Sequence, residues 1–228
     1  MLLWEQLQLR PGLICLTGSG GKTALAHLLS ASLPGRVVFC TSTRIFPSPA
    51  LPLFLGSNVG ELDALLERRR AVCAGTLEEN GKLSASAISF QSLRSLADYV
   101  VVEADGAKGL PLKAHLSYEP VLPDGFDRCI LLVGASGFDR PILEAAHRPE
   151  RFAELAGCHV CDPATPDDAA SVLAAEGGFD TVIVNQASSA ELISRAGRLF
   201  ELLGIPGFAG EIKNGSLVSF TGNRDIIP

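Results

Sequence analysis

Short apolar runs alternate with longer amphipathic segments along most of the chain. The apolar runs are continuous and rich in Val, Ile and Leu, which predicts strands of a parallel sheet that is covered on both faces. These predicted strands lie at residues 13–17, 36–41, 71–74, 99–103, 128–134 and 181–185. The segments between them fit helices at residues 22–32, 61–70, 87–97, 149–156, 166–175 and 190–203.

The alternation of strands and helices predicts the fold class. It is typical of an α/β protein with a doubly wound, mostly parallel sheet, in which ligands bind at the carboxyl ends of the strands. Thr165 followed by Asp168 predicts the start of one helix. Asn214-Gly215 between two short apolar segments predicts a β-hairpin over about residues 208–222. We therefore expect a single α/β domain over residues 1–228, with the hairpin as a small appendage.

The net charge, the apolar runs and the cysteines predict which partners the protein binds and in which cellular compartment it lies. The formal net charge of −6 gives no general attraction to a phosphodiester backbone, so nucleic acid is not an expected partner. Residues 1–10 lack a cationic leader and no apolar run reaches membrane-spanning length, which favours a cytoplasmic protein without a membrane partner. The six cysteines lie mostly within apolar runs, so we expect buried reduced thiols rather than disulfides.

A glycine-rich turn joins the first predicted strand to the first predicted helix. Residues 17–23 read Thr-Gly-Ser-Gly-Gly-Lys-Thr, and glycines in such a turn can take positive φ and present N–H groups to phosphate oxygens. The usual phosphate loop has a glycine where this chain has Leu16. A shorter Thr-Gly-x-x-Gly-Lys-Thr turn nevertheless resembles that of the ATP-dependent peptidoglycan amino-acid ligases. The alternative is a flexible turn with a solvated lysine.

This turn predicts a P-loop NTPase-like domain that binds ATP or another nucleoside triphosphate with Mg²⁺. The expected nucleotide contacts are Gly18, Ser19, Gly20, Gly21, Lys22, Thr23, Ala24 and Asn185. Asn185 stands where nucleotide-binding relatives place an Asn-Lys-x-Asp base reader, but Ser188 replaces the aspartate that recognises guanine. ATP is therefore favoured over GTP.

Two acids end the apolar strand that contains residues 100–102. Glu103 and Asp105 can hold Mg²⁺ directly or through water, and threonine hydroxyls can supply further oxygen ligands. The predicted metal-binding residues are Thr23, Thr41, Glu103 and Asp105. The alternative is that Asp105-Gly106 only turns the chain.

The stretch from Asp98 to Pro123 resembles a known family signature. Its parts are a Glu-Ala-Asp-Gly segment at residues 103–106, a Gly-Leu-Pro-Leu-Lys run at residues 109–113 and a Glu-Pro pair at residues 119–120. They are similar to the signature of the selenium-dependent molybdenum hydroxylase accessory proteins, and similar segments lie at residues 41–44, 133–134, 139–141 and 147–150. The resemblance implies nucleotide binding and a role in maturing these hydroxylases. The implied partner is a molybdenum hydroxylase or its cofactor-insertion machinery.

The resemblance also directs attention to polar residues within the similar segments. Lys113 joins Lys22 and Asp105 as a predicted catalytic residue, because a cation can compensate the charge on a transferred phosphoryl group. The remaining candidates, each with an ordinary structural alternative, are hydroxyls at Ser42 and Thr43, cations at Arg44 and Lys108, and proton-carrying imidazoles at His115 and His147.

Cys158 and Cys161 form a separate candidate site. Two thiolates at this spacing can share a metal or form a redox pair, with His147 as a further ligand. The alternative is a pair of partly buried thiols at the end of a helix.

Three functional classes remain open at this point. The first is an ATP-dependent maturation enzyme that transfers a phosphoryl or nucleotidyl group. The second is a nucleotide-responsive module that binds a cofactor or an immature hydroxylase. The third is a small ATP-dependent amide ligase, although the chain has little room for the separate substrate domain of such enzymes.

Overall fold

Buried parallel strands form the framework of the computed structural model, which describes residues 1–221. Within these residues, thirteen β-strands and eight α-helices make a mixed α/β protein, as predicted. The strands are β1 (Gly12–Gly18), β2 (Val37–Thr41), β3 (Leu53–Phe54), β4 (Ala71–Ala74), β5 (Thr76–Leu77), β6 (Leu83–Ser84), β7 (Tyr99–Glu103), β8 (Leu112–Lys113), β9 (Arg128–Gly134), β10 (Ala146–His147), β11 (Thr181–Asn185), β12 (Gly207–Glu211) and β13 (Ser216–Phe220). The helices are α1 (Leu3–Gln6), α2 (Lys22–Ser32), α3 (Val59–Arg68), α4 (Phe90–Leu96), α5 (Ile142–Ala145), α6 (Pro149–Ala156), α7 (Pro166–Glu176) and α8 (Ala190–Leu203).

All six predicted strands and all six predicted helices form, with bounds that differ from the predicted ones by at most three residues, and the largest differences lie at helix starts. The helix expected from residue 87 begins at Phe90, because Ser89 is its cap and accepts a hydrogen bond from the Ser92 N–H at 3.2 Å. The helix expected from residue 61 begins earlier, at Val59, behind the cap residue Asn58. Boundaries are therefore decided by the side chain that reaches the first free N–H groups.

The predicted start of α7 is confirmed. The Thr165 hydroxyl accepts a hydrogen bond from the Asp168 N–H at 3.1 Å, and the Asp168 carboxylate accepts one from the Thr165 N–H at 2.8 Å. This reciprocal pair is a capping box, which satisfies donors that the first turn leaves open.

The chain divides into two compact units. The first comprises Met1–Thr17, Thr23–Gly106 and Glu119–Cys129, and the second comprises Gly18–Lys22, Ala107–Tyr118 and the chain from Ile130 onward. Whether they work as the single domain expected over residues 1–228 stays a prediction.

Five parallel strands organise the first unit, in the order β1-β7-β2-β4-β3. Every residue of β1, β2 and β7 is buried. This agrees with the continuous apolar runs in the sequence, because strands covered on both faces have no polar side. The polar residues that follow these strands therefore mark where each strand leaves the core.

The second unit contains the strand order β13-β12-β11-β9. β9, β11 and β12 are parallel, and β13 returns antiparallel to β12. β12 and β13 confirm the predicted hairpin, and because β12 also pairs with β11 the hairpin extends the sheet of this unit. Residue 222, at the end of the predicted hairpin, lies outside the described residues.

Two pairs of two-residue strands escape prediction from sequence. β5 and β6 pair antiparallel in the first unit, and β8 and β10 pair parallel in the second. A strand of two residues has no detectable periodicity, so only its partner reveals it. The second pair matters because it positions candidate residues described below.

Four of the six thiols are buried in or beside strands: Cys15, Cys40, Cys73 and Cys129. Cys158 is half-buried and Cys161 is exposed, and none of these six forms a disulfide within the described residues. Burial raises the pKa of Cys15 and Cys40 far above the ordinary thiol value. No helix within residues 1–221 is long and apolar enough to cross a membrane.

Candidate functional site

A short loop of the second unit, Gly18–Lys22, lies between β1 and α2. Its glycines take φ values of 84° at Gly18, 79° at Gly20 and 137° at Gly21. Side chains rarely adopt such values, so this backbone path requires the glycine spacing. Because α2 begins at Lys22, the loop leads directly to the positive end of a helix dipole.

Ser19 attaches the loop to other segments of the same unit. Its N–H donates to the Leu132 carbonyl at 2.9 Å, and its hydroxyl donates to the Pro111 carbonyl at 2.7 Å. The Pro111 carbonyl also accepts from the Gly134 N–H at 2.8 Å. Since Ser19 is only 2% exposed, these bonds are shielded from water and fix the path of the loop.

The backbone of β9 lies so close to Gly18 and Gly20 that neither position has space for a side chain. A Cβ on Gly18 would lie 2.3 Å from the Leu132 carbonyl oxygen, and one on Gly20 would lie 2.4 Å from the Gly134 Cα. Both distances are far inside van der Waals contact. Glycine is therefore required here for space as well as for φ.

Asn185, at the end of β11, supports the loop from another strand. Its Nδ2 donates to the Gly20 carbonyl at 2.7 Å, and its Oδ1 accepts from the Ile212 N–H at 3.0 Å. The pairing of β11 with β9 places Asn185 opposite Gly134. Asn185 thus contacts the loop itself, while its reading of a nucleotide base stays a prediction.

The first turn of α2 carries the remaining residues predicted to bind phosphate. Lys22 is 4% exposed, and its ammonium donates to the Gly18 carbonyl within the loop. Thr23 is exposed and Ala24 is half-buried. An ammonium has three N–H donors, so Lys22 is suited to a ligand with several acceptor oxygens.

Two buried carboxylates of the first unit each accept a hydrogen bond from a threonine. Glu103 Oε2 accepts from the Thr23 hydroxyl at 2.9 Å, and Asp105 Oδ2 accepts from the Thr17 hydroxyl at 2.9 Å. Glu103 is 7% exposed and Asp105 is fully buried. Thr17 and Thr23 directly precede and follow the Gly18–Lys22 loop in the chain, so the two acids bond to the residues that border it.

The register of β1, β7 and β2 explains this grouping. Glu103 lies opposite Leu16 on one side and Thr41 on the other. The Thr41 hydroxyl donates to the Glu103 carbonyl at 2.7 Å and accepts from the Thr43 N–H at 3.0 Å. The four predicted metal-binding residues all lie in the first unit: Thr23, Thr41, Glu103 and Asp105. Thr23 and Thr41 both bond to Glu103, whereas Asp105, two residues further along the chain, bonds to Thr17.

The side chains of these four residues offer only oxygen atoms as ligands, and such ligands suit Mg²⁺ better than a softer cation. Within residues 1–221, no three His, Cys, Asp or Glu side chains are grouped to hold a metal ion by themselves. Mg²⁺ commonly binds through one or two carboxylates together with substrate phosphates and water. The residues present therefore fit a cation that arrives with a phosphate ligand.

The short strands β8 and β10 assemble further candidates in the second unit. Lys113 lies opposite His147, and the Ala114 N–H donates to the His147 carbonyl at 3.2 Å. Lys113 is 5% exposed and His115 is 7% exposed. Ionisable side chains are seldom so deeply buried without a structural or functional reason.

Glu176, the last residue of α7, was not found by sequence reasoning. Its Oε1 accepts from the His115 N–H at 2.5 Å, and its Oε2 lies 2.6 Å from His115 Nδ1. The two residues are 61 positions apart, so no local pattern connects them. The only signal in the sequence was a carboxylate at the end of a predicted helix, which is ordinarily a solvated position.

Arg44 and Lys108 have surface positions. The Arg44 side chain is 66% exposed, and its Nε donates to the two carboxylate oxygens of Glu78 at 3.0 and 2.8 Å. Lys108 is exposed in a loop with φ of 51°. Arg44 is thus held in a surface ion pair, which accounts for it without a ligand.

Cys158 follows α6, as expected for a thiol at the end of a helix. Burial, with Asp168 and Asp162 nearby, raises the pKa of the Cys158 thiol. Nearby negative charge has the opposite effect from the cationic surroundings that activate a cysteine. The arrangement therefore favours an ordinary thiol over a reactive one.

Comparisons with known proteins find one matching protein family and a similar protein. The model of the YqeC protein family matches residues 14–150, a segment that includes the loop, both buried acids and Lys113. The chain is also similar to the uncharacterized protein YqeC of Escherichia coli (strain K12), with 33% identity over 161 residues. The match covers 66% of the chain and 62% of that protein, so the chain spans less than two thirds of this relative's length. No solved structure matches the chain.

Proposed function

We propose that this chain, which belongs to the YqeC protein family, is a Mg²⁺-dependent nucleotide-binding protein that uses ATP. The Gly18–Lys22 loop would bind the phosphates, and the carboxylates of Glu103 and Asp105 would bind Mg²⁺ directly or through water. This proposal includes a P-loop NTPase-like arrangement of the fold.

The observation that carries the proposal is the anchored shape of the loop. Three glycines at positive φ and the buried bonds of Ser19 hold it in one conformation ahead of a helix start. Fixing one residue's backbone costs roughly 1–2 kcal/mol, so a loop that is already ordered loses little entropy when it binds an anion. We expect a phosphate to replace the Gly18 carbonyl as an acceptor for Lys22.

The buried carboxylates of Glu103 and Asp105 support the proposal that the chain binds Mg²⁺. Glu103, Asp105 and Thr23 would hold Mg²⁺, which would supply positive charge to offset that of the phosphates. Glu103 and Asp105 supply negative charge, and Thr23 supplies a hydroxyl oxygen directly after Lys22 in the chain. Because the two acids are buried and already hydrogen-bonded to threonines, they are oriented before any ligand arrives.

The proposed role follows from the resemblance of residues 98–123 to the selenium-dependent molybdenum hydroxylase accessory proteins. We infer that the chain acts in the maturation of such hydroxylases, with a hydroxylase or its cofactor-insertion machinery as partner. We also propose that the chain acts in the cytoplasm, where cysteines outside disulfides, such as its six, stay reduced.

A second candidate is a nucleotide-responsive binding module without chemistry of its own. It is favoured by apolar side chains exposed on the first unit, including Phe46 at 66%, Leu55 at 45% and Val59 at 42%. Exposed apolar residues can form part of a protein-binding surface. In this case nucleotide would change affinity for the hydroxylase rather than being consumed.

Isothermal titration of the purified chain with ATP, with and without Mg²⁺, tests the proposal. We expect Lys22→Ala to weaken binding by about 10- to 100-fold, because a charge-assisted hydrogen bond contributes about 1.5–3 kcal/mol. Glu103→Gln should remove most of the gain in affinity that Mg²⁺ provides. GTP should bind no better than ATP.

Lys213→Ala is the matched control, because Lys213 is an exposed lysine outside the loop. Equal affinity of wild type and Lys22→Ala for Mg·ATP would rule the proposal out. Turnover of ATP by the chain alone would favour the enzyme, whereas a nucleotide-dependent change in affinity for an immature hydroxylase would favour the binding module.

A further inference from the structure

We propose that Gln186 selects adenine over guanine by binding the edge of the base with its side-chain amide. This role rests on the proposed function, because the Gly18–Lys22 loop must first hold the phosphates of the nucleotide. It adds a residue that determines which nucleoside triphosphate the chain binds. All the contacts that carry it lie within the second unit.

Gln186 directly follows β11 and lies beside the phosphate-binding loop. A Cβ on Gly20 of this loop would lie 2.4 Å from the Gly134 Cα, and a Cβ on Gly134 would lie 2.4 Å from Gln186 Oε1. The loop, Gly134 and the amide of Gln186 are therefore packed in direct succession. The amide thus lies next to the place where the proposed function puts the nucleotide.

The backbone of Gln186 has an unusual conformation. Its φ is 64°, in the left-handed region that glycine enters freely and that other residues adopt at an energetic cost. Residues held in such conformations are concentrated at ligand-binding and active sites. Because glycine would meet the backbone requirement without strain, the backbone alone does not account for a glutamine at this position.

Ser136 orients the side-chain amide of Gln186. Its hydroxyl donates to Gln186 Oε1 at 2.6 Å, and among the described residues it is the one hydrogen-bond partner of this amide. An amide oxygen has two lone pairs and an amide nitrogen has two hydrogens. One lone pair of Oε1 and both Nε2 hydrogens are therefore left for a ligand. Since Ser136 is exposed and Gln186 is half-buried, this side of the amide is open to solvent.

The preceding residue, Asn185, is instead committed to the protein backbone. Its amide donates to the Gly20 carbonyl at 2.7 Å and accepts from the Ile212 N–H at 3.0 Å, and the residue is 7% exposed. Asn185 therefore fixes the point from which the next residue extends. We assign contact with the base to Gln186.

The chemistry of an amide matches adenine better than guanine. Adenine presents the N6 amino group as a donor and N7 as an acceptor along one edge, and a glutamine amide pairs with both at once. Guanine presents two acceptors, O6 and N7, along the same edge. Gln186 Oε1 would then face O6 with no hydrogen between the two oxygens, so GTP loses a bond that ATP makes.

Isothermal titration with Mg·ATP and Mg·GTP tests this role. Wild type should bind Mg·ATP about 5- to 150-fold more tightly, the discrimination that one paired amide and base provide. Gln186→Met keeps the unbranched length of the side chain and removes the amide, so this preference should fall to about 2-fold or less. Gln8→Met is the matched control, because Gln8 is an exposed glutamine that also has a positive φ, 51°.

Two further ligands separate binding of the base from binding of the phosphates. Mg·tripolyphosphate has no base, so wild type and Gln186→Met should bind it equally. An ATP analogue with carbon in place of N7 cannot accept the Nε2 hydrogen. Wild type should therefore bind this analogue more weakly than ATP, whereas Gln186→Met should not distinguish the two.

Two further variants separate the role of the amide from an effect on folding. Asparagine enters the left-handed region more readily than most residues, so Gln186→Asn should unfold at the same urea concentration as wild type or higher. Its amide is one methylene shorter, and the preference for ATP should be lost. Ser136→Ala should lower the same preference, because the amide of Gln186 is then no longer held in one orientation.

The outcomes separate this role from the proposed function. If wild type does not bind Mg·ATP, the proposed function fails and the role of Gln186 fails with it. If Mg·ATP binds, equal affinity of wild type for GTP or for the analogue without N7 would overturn the role of Gln186 alone. An undiminished preference for ATP in Gln186→Met or Gln186→Asn would do the same. In Ser136→Ala, an undiminished preference would overturn the orienting role of Ser136.

Discussion

Gly20 illustrates how single residues determine the loop. It combines a φ of 79° with a backbone neighbour, Gly134, that leaves no space for a Cβ. Ser19 and Asn185 add fixed hydrogen bonds on either side of it. A side chain at residue 20 would thus meet both a conformational and a steric penalty.

We expect Gly20→Ala to destabilise the protein and abolish Mg·ATP binding. The positive φ alone costs about 1–2 kcal/mol for alanine, and the collision with backbone should add about 1–3 kcal/mol. Chemical denaturation followed by circular dichroism measures the total.

The matched control is Gly81→Ala. Gly81 has nearly the same φ, 77°, but nothing lies within 4 Å of a Cβ built there. It should show the conformational cost without the steric one and bind Mg·ATP normally. Equal destabilisation of the two variants would contradict the close approach at Gly20.

Among helices and strands, capping side chains determine where a helix begins, and the register of paired strands determines which distant residues lie close together. The capping box at Thr165 was readable from the sequence because all its members are local. The β8–β10 pair was not, because Lys113 and His147 come together through tertiary pairing of two short segments. Local signals therefore locate elements, whereas contacts between distant segments require the folded chain.

Thr165→Ala should lower the free energy of unfolding by about 1 kcal/mol, the usual cost of removing a side-chain cap. The hydroxyl that accepts from the Asp168 N–H is lost, and the first turn of α7 keeps an unsatisfied donor. Urea denaturation of the variant and wild type measures the difference.

Thr165→Ser is the conservative control, since serine caps as well as threonine. It should unfold close to wild type. A Thr165→Ala protein as stable as wild type would show that α7 is held by packing alone.

For the whole molecule, the burial of thiols in the core makes the free energy of unfolding depend on pH above the ordinary thiol pKa. Burial raises the pKa of Cys15 and Cys40 well above the ordinary value of 9.0. Above about pH 9 the unfolded chain loses these protons while the folded chain keeps them. Stability from this source is therefore complete below pH 9 and declines as pH rises.

We expect Cys40→Ala to flatten the decline of unfolding free energy between about pH 9 and pH 11. Each thiol that ionises only on unfolding contributes a slope of about 1.4 kcal/mol per pH unit. Denaturation at several pH values gives the slope, independent of any constant loss from the smaller side chain.

Cys161→Ala serves as the control, because Cys161 is exposed. Its slope should match that of wild type. A Cys40→Ala slope equal to wild type would mean that Cys40 ionises within the folded protein.

Much of the fold was predictable because strand and helix patterns depend on neighbouring residues. Glu103 and Asp105 could be placed at a strand end, and Gly18, Gly20 and Lys22 in a turn before a helix. Glu176 and the bonds from Ser19 to Leu132 and Pro111 could not be predicted. Those contacts join residues far apart in the chain, and no periodic pattern connects them.

The α/β alternation, the glycines that permit positive φ and the chemical types of the candidate residues all follow from the sequence, because they depend on local geometry and side-chain chemistry. The folded chain alone shows which carbonyls hold Ser19, that Asn185 supports the loop, and that Glu176 contacts His115. These contacts depend on pairing and packing between distant segments, where distances of a few tenths of an ångström distinguish a hydrogen bond from mere proximity.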